Sequence, residues 1–258
     1  MTQGTMPGPG GWTLTAEGAA YFASEKTAVI ADVHLGYEWA RGKSGDCVPA
    51  HSLRETVAKL NALFSRFQPE RLIVAGDFVE SPIDCRRTAR DVHALSEWLG
   101  SIGVELINLA GNHDPPRRPP WPASMEVGGW TIAHGHKPLT ATRTITGHLH
   151  PVLRSGRVNA PCFVVGPRRI ILPAFSPNAA GVGLEALPRK IGAGPLHCLA
   201  TAGGELLDCG PTQQLVSALT QSSRINPGGR GCRRAESTPG SPGGSPSPNR
   251  SRSTRAKS

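Results

Sequence analysis

Thr27-Ala28-Val29-Ile30-Ala31-Asp32-Val33-His34 is the stretch that decides the fold. Its first half is β-branched and apolar without alternation, the pattern of a strand buried on both faces. It ends on a carboxylate and an imidazole two residues apart. Four further blocks in the first 150 residues repeat that design: Gly76-Asp77, Gly111-Asn112-His113-Asp114, His134-Gly135-His136 and Gly147-His148-Leu149-His150. Each follows a short apolar run that reads as a strand, and six of the nine histidines lie inside the five blocks. Ligand-type side chains at the ends of several strands can converge on one edge of a sheet. The blocks therefore read together as one dinuclear metal site.

Working outward, Trp12 to Ser24 contains short apolar stretches around a Glu17-Gly18 turn, the signature of a hairpin or edge strand. Ser52-Leu53-Arg54-Glu55 reads as a capping box, opening a helix with Leu53, Val57, Leu60 and Phe64 on one face and Gln68-Pro69 at its end. Arg71 to Ala75 is the next expected strand, Asp84 to Leu99 the next helix, and Val104 to Leu109 the third strand. This strand–helix alternation predicts parallel βαβ units and an α/β fold. Pro115, Pro116, Pro119, Pro120 and Pro122 predict a stiff loop. Short strands follow at Trp130 to Ala133, Thr142 to Thr146, Cys162 to Val165 and Arg169 to Leu172, with no comparable helices between them, so antiparallel or mixed pairing is expected there. Gly181 to Leu184 and Glu205 to Cys209 are candidate edge strands.

The Gly/Pro-rich residues 1–11 are expected to be frayed, residues 12–221 to form the domain, and residues 222–258 to be a disordered tail. Net charge is +9 for 258 residues, but seven Arg, one Lys and one Glu in 222–258 account for +7, leaving +2 elsewhere. A segment rich in Ser, Pro, Gly and Arg buries too little apolar surface to offset its ordering entropy. Two readings of it are open: a solubilising tail, which is favoured, and a weak, salt-sensitive nucleic-acid arm. No apolar run approaches the length of a membrane span, and no secretory pattern opens the sequence. Six scattered cysteines without a C-x-x-C pair argue against a zinc ribbon or disulfide framework and fit a reducing cytoplasm.

Two metal ions a few Å apart suit phosphoester hydrolysis. They activate water and neutralise charge developing on the phosphoryl oxygens. The donor mix of Asp, Asn and His suits Mn²⁺ foremost, or Fe or Zn²⁺, better than Mg²⁺.

In this order, D-x-H, G-D, G-N-H-D, H-G-H and G-H-x-H resemble the calcineurin-like metallophosphoesterase superfamily, over roughly residues 12 to 175. Ile30 to Gly36 and Ile171-Leu172-Pro173-Ala174-Phe175 are similar to the bacterial DNA ligase-associated phosphoesterases and their archaeal ICC-like relatives. Those relatives often carry a His shortly after the Gly-Asp motif, where Phe78-Val79-Glu80-Ser81 stands here. The resemblance implies an αββα sandwich with mixed sheets and a phosphoesterase using two divalent ions. It implies Asp32, His34 and His150 on the first metal, Asp77 bridging, and Asn112, His134 and His148 on the second. It implies that His113 faces the scissile phosphate as acid or charge stabiliser, with Asp114 orienting that imidazole. His136 could replace His134 as a ligand, contact substrate or support a ligand; His134 is preferred by position.

Taken singly, each block has a bland explanation, such as a capping Asp or a solvated His; five in order do not. His51, His93 and His197 receive no role. The substrate is expected to be a phosphoester, with phosphodiesters of nucleic-acid or nucleotide origin foremost. The competing expectation is a scaffold of the same fold with little turnover, against which stands the presence of every motif residue.

Overall fold

The computed structural model describes residues 4–116, 120–156, 158–187 and 194–225, and of 221–225 the backbone only. The first sheet contains β1 (Thr5–Pro7), β2 (Trp12–Thr15), β3 (Ala20–Phe22), β4 (Thr27–Ile30), β5 (Arg71–Val74) and β6 (Glu105–Asn108), side by side in chain order. Its first four strands pair antiparallel, and β4, β5 and β6 pair parallel. Helices α1 (Tyr37–Lys43) and α2 (Ser52–Phe67) connect β4 to β5, and α3 (Arg86–Ser101) connects β5 to β6. The expected βαβ units are therefore present, and the expected hairpin is β2–β3.

The second sheet contains β7 (Ser124–Val127), β8 (Trp130–Ala133), β9 (Thr144–Thr146), β10 (Pro151–Ser155), β11 (Val158–Gly166), β12 (Arg169–Ile171) and β13 (Val182–Gly183). β14 (His197–Ala202) and β15 (Glu205–Pro211) extend it from β11, and α4 (Thr212–Ile225) follows. Here β8, β9 and β12 pair parallel, while β7–β8, β10–β11, β11–β12 and β11–β14 pair antiparallel. This is the mixed pairing expected.

Alternation along the strands sets the layers. Val29, Ala31, Ile73 and Ala75 face the second sheet, packing with Ile132, Ile145, Phe163 and Ile170. Ala28, Ile30, Leu72 and Val74 face α2 and α3, packing with Leu60, Leu63, Leu95 and Leu99. On the outer face of the second sheet, Cys162, Val164, Ile171 and Cys198 pack under Leu215 and Val216 of α4. The result is an αββα sandwich with mixed sheets.

Three local expectations change. Thr5–Pro7 pairs with β2, so the opening segment joins the sheet instead of fraying from Thr5 onward. Ser52 does not cap α2: His51 holds the cap position without a side-chain bond, and the Ser52 hydroxyl is buried without a partner. Helix α4 runs to Ile225, so its last turn occupies the first four residues assigned to the tail; the disorder expected of that tail falls, from 226 on, outside the described residues. Among the described residues, no helix is long and apolar enough to cross a membrane.

Phe175 and Ser176 return from the second sheet and donate N–H groups to the carbonyls of Ala31 and Asp32 at 2.8 and 3.1 Å. Lys59 of α2 donates to the Phe175 carbonyl at 2.7 Å and lies over its ring, 4.1 Å from the centroid. Burial disfavours the Lys59 ammonium and brings its pKa down to about 8, against the partly offsetting charges of Glu17 and Glu55. The folded chain thus sheds this proton near pH 8, while the unfolded chain holds it to about 10.5, so this group adds stability as pH rises between those values. Against Lys59→Met, the wild type should gain up to about 3 kcal/mol across that window. Denaturation series at both ends should show it; parallel pH profiles would refute the assignment.

Candidate metal centre

The parallel strands deliver the polar blocks. Asp32 and His34 follow β4, Asp77 follows β5, and Asn112, His113 and Asp114 follow β6. From the facing sheet, His134 and His136 follow β8, His148 follows β9, and His150 immediately precedes β10. Past the strand ends the loops stay zipped together. Asp32 and His34 donate N–H groups to the Gly76 and Asp77 carbonyls, each at 3.1 Å, and Leu35 and Val79 form a bridge.

This geometry strains the backbone. Among the described residues, seven non-glycine residues have positive φ, and five of them are Asp32, His34, Asp77, His148 and His150. The other two, Lys26 and Gln68, are ordinary helix ends. Left-handed backbone at non-glycine residues is costly, and its concentration here marks a place where side-chain position outweighs local comfort. Gly76 and Gly111 serve close approach. A Cβ on Gly76 would lie 2.5 Å from that of His134, and one on Gly111 would lie 2.2 Å from the Asp77 amide nitrogen.

Among the described residues, three groups of side chains bring ligand atoms within 4.8 Å of one another: Asp32–His34–His150, His34–Glu80–His113 and Asp77–His134–His148. In the third group, His134 has its Nδ1 against the Ala75 carbonyl at 3.1 Å. A carbonyl only accepts, so Nδ1 carries the proton and Nε2 is left for the site. That Nε2 lies between two oxygens, Asn112 Oδ1 at 2.9 Å and Asp77 Oδ2 at 3.2 Å. A nitrogen lone pair and two oxygen acceptors converging on one point fit a cation.

The first group fits one as well. His150 Nε2 lies 3.0 Å from Asp32 Oδ1, and His34 Nδ1 lies 2.8 Å from Glu80 Oε2. Neither approach is aligned as a hydrogen bond, and both His34 nitrogens and His150 Nε2 are buried without a hydrogen-bond partner. Orphaned buried nitrogens are expensive in a protein that leaves them so. Facing carboxylate oxygens, they form a set that could hold a cation.

Electrostatics agree. Burial alone would raise the pKa of Asp77, but the hydrogen bond and charge of His134, with the His113 N–H, bring it down to about 2. Burial opposes charge on His134 too, yet Asp77 and Asp32 raise its pKa. His148 is lowered by burial and then by His134.

His136 stays outside these groups, its ring 5.2 Å from that of His134 and its Nδ1 without a partner. His113 stands beside His34, ring centroids 5.1 Å apart, with its Nδ1 on the Glu80 carbonyl at 2.8 Å. Asp114, expected to hold the His113 imidazole, is otherwise engaged. Its Oδ2 accepts the N–H groups of Asp77 and Gly111, each at 2.9 Å, and its Oδ1 accepts those of Phe78 and Val79 at 2.8 and 3.2 Å. Asp114 is thus a latch joining the β5 and β6 loops, and the group that holds the imidazole is the Glu80 backbone. Burial still raises the Asp114 pKa against these bonds. Glu80 itself was missed by sequence reasoning; the available signal was an acidic residue three positions after the Gly76-Asp77 block.

No known protein family matches the chain, and no curated protein matches it. Among solved structures, the crystal structure of the Pseudomonas putida nuclease MPE is similar in fold. The TM-score is 0.60 at 23% identity, and the match covers 80% of this chain and 100% of that one.

Asp114→Ala should unlatch four backbone N–H groups and lower unfolding free energy by roughly 2–4 kcal/mol, with Asp114→Asn intermediate because one oxygen remains. Urea denaturation measures this. A loss below about 1 kcal/mol for the alanine variant would show that water replaces the latch.

Proposed function

We propose that this chain is a dinuclear metal-dependent phosphoesterase acting on phosphodiesters of nucleic-acid origin. The observation that carries the reading is the pair of donor sets, Asp32–His34–His150 and Asp77–His134–His148, with buried ring nitrogens that lack hydrogen-bond partners in the first. The fold shared with a nuclease supports the same reading.

In this proposal Asp32, His34 and His150 would hold one ion and Asn112, His134 and His148 the other, with Asp77 available to both. Mn²⁺ is the first choice, from the mixed oxygen and nitrogen donors. Bound there, divalent ions supply Lewis acidity, activating water and neutralising phosphoryl charge. The chain's own residues do the rest. Asp77 has one oxygen fixed by the His113 N–H at 2.8 Å, which leaves the other directed at His134. The Glu80 carbonyl holds the Nδ1 proton of His113 and sets its tautomer. Its Nε2 is then the atom that can carry a second proton to the leaving oxygen or hold charge on the phosphoryl group.

Metal analysis of the Mn²⁺-loaded chain should find about two ions. A firm value of one would reject the dinuclear site, and two ions without turnover of any mono- or diester would favour a scaffold. Asp77→Asn should weaken metal retention more than any single His→Ala change, because the amide removes the charge that Asp77 would offer to both ions; wild-type retention would remove Asp77 from that role.

His113→Ala should keep both ions and lose roughly 10²–10⁴-fold in rate. The loss should be smaller for p-nitrophenyl esters, whose leaving group needs little protonation, than for nucleoside esters. Equal losses across the series would assign His113 to charge stabilisation, and loss of an ion would make it a ligand, as its place beside His34 and Glu80 allows.

A further inference from the structure

The two proposed donor sets leave one acidic side chain of the centre unused. Glu80 brings a carboxylate oxygen within 4.8 Å of ligand atoms of His34 and His113. Among the described residues, it enters no such group with Asp32, Asp77, His134, His148 or His150. Opposite ligands of one ion, at about 2.1 Å each, lie only about 4.2 Å apart. As it stands, Glu80 therefore completes neither proposed set. It also differs in exposure: the side chains of Asp32 and Asp77 are 0% and 2% exposed, that of Glu80 is 22% exposed.

Its backbone is tied on both sides. The Glu80 N–H donates to the Leu35 carbonyl at 3.0 Å, beside the Leu35–Val79 bridge, and the Glu80 carbonyl accepts the Nδ1–H of His113 at 2.8 Å. The carboxylate is thus fixed next to the imidazole that faces the scissile group in the reading above. The charged group it meets is His34, whose Nδ1 lies 2.8 Å from Glu80 Oε2. A histidine that ligates a metal is neutral, so with the centre loaded His34 leaves the negative charge of Glu80 standing.

We propose, resting on the phosphoesterase reading above, that Glu80 is a specificity residue whose carboxylate admits singly charged phosphodiesters and repels doubly charged phosphomonoesters. The two classes carry the same phosphoryl group and differ by one negative charge, because the second proton of a monoester leaves at a pKa of about 6. Metal ions alone attract the dianion more strongly. A carboxylate a few Å from the phosphoryl oxygens counters that bias. The same charge acts on the product. Hydrolysis breaks one P–O bond and adds water across it, giving an alcohol and a monoester that sheds a further proton to solvent. The product is then the species that Glu80 repels, so its release is favoured. In nucleic acid, internal linkages are selected over terminal phosphates.

The test uses the full chain, loaded with Mn²⁺ and dialysed free of excess metal, beside Glu80→Gln, which removes the charge and keeps the shape and the backbone bonds. p-Nitrophenyl phosphate and its methyl ester share a leaving group and differ by one charge at about pH 8. Both should be hydrolysed faster by the variant, the monoester by more. Its kcat/KM relative to the diester should rise roughly 10- to 100-fold, the effect of one unit charge a few Å away in a partly screened site. Inorganic phosphate, a dianion at that pH, should bind the variant more tightly, which calorimetry reads without turnover. Glu80→Asp keeps the charge and should hold the ratio near that of the wild type.

A ratio that stays put in Glu80→Gln, with both esters still hydrolysed, would overturn the charge selection and leave the phosphoesterase reading in place. Equal ratios in the Gln and Asp variants would assign the preference to shape and overturn it too. Loss of an ion from Glu80→Gln would make Glu80 a ligand instead. A wild type that hydrolyses neither ester, yet binds phosphate more weakly than the Gln variant, would keep the repulsion by Glu80 and overturn the phosphoesterase reading.

Discussion

Two buried carboxylates govern this structure. Asp32 is fully buried and Asp77 is 2% exposed, both in the seam between two sheets. Uncompensated charge in such a place costs several kcal/mol per group. The surroundings supply the compensation. The His148 N–H reaches both Asp32 oxygens at 3.2 and 3.0 Å, the His113 N–H reaches Asp77, and His134 lies within 3.6 and 3.2 Å of Asp32 and Asp77. A single imidazole near both carboxylates, its Nδ1 proton on the Ala75 carbonyl, is a partial answer. Divalent cations are a fuller one, and the orphaned nitrogens of His34 and His150 point to where they would sit.

The rest of the fold can be understood as delivery. A single strand end cannot gather this many polar side chains, and two sheets are stacked with their parallel portions carrying the polar blocks into one seam. Bringing the loops close enough forces five donor residues into left-handed backbone. The backbone bonds between the β4 and β5 loops, the returning Phe175–Ser176 segment and the Asp114 latch hold that strained arrangement together. Apolar layers on both outer faces supply the stability from which such strain can be drawn.

Much of this was legible because the signals were strong and local. A buried apolar run ending in Asp-x-His specifies both a strand and what it delivers, and the blocks that end parallel strands lie next to one another. What escaped depends on distance or on backbone. Asp114 binds amides 35 to 37 residues away, and no spacing in the sequence records a side chain bonded to a distant backbone. Glu80 lies in a loop whose course is set by the Leu35–Val79 bridge, itself a tertiary feature. The capping box failed because Ser52 is drawn into the core beside α2, where burial competes with capping. Helix α1 is only seven residues long, too short for a clear stripe. Of the β14–β15 hairpin only Glu205 to Cys209 was expected as a strand; β14 escaped, although Gly203-Gly204, which joins Ala202 to Glu205 as a two-residue turn, was a signal for it.

The latch has a bearing on how such a chain can change over generations. Asp114 grips amides, and every residue except proline offers one. The hold on the loop after Asp77 is therefore blind to which side chains that loop carries. Phe78, Val79 and their neighbours can be exchanged, within the limits of packing, while Asp77 stays where it is. The segment that brings Glu80 to His34 and His113 is thus the part of this cluster freest to vary without loosening the loop's backbone.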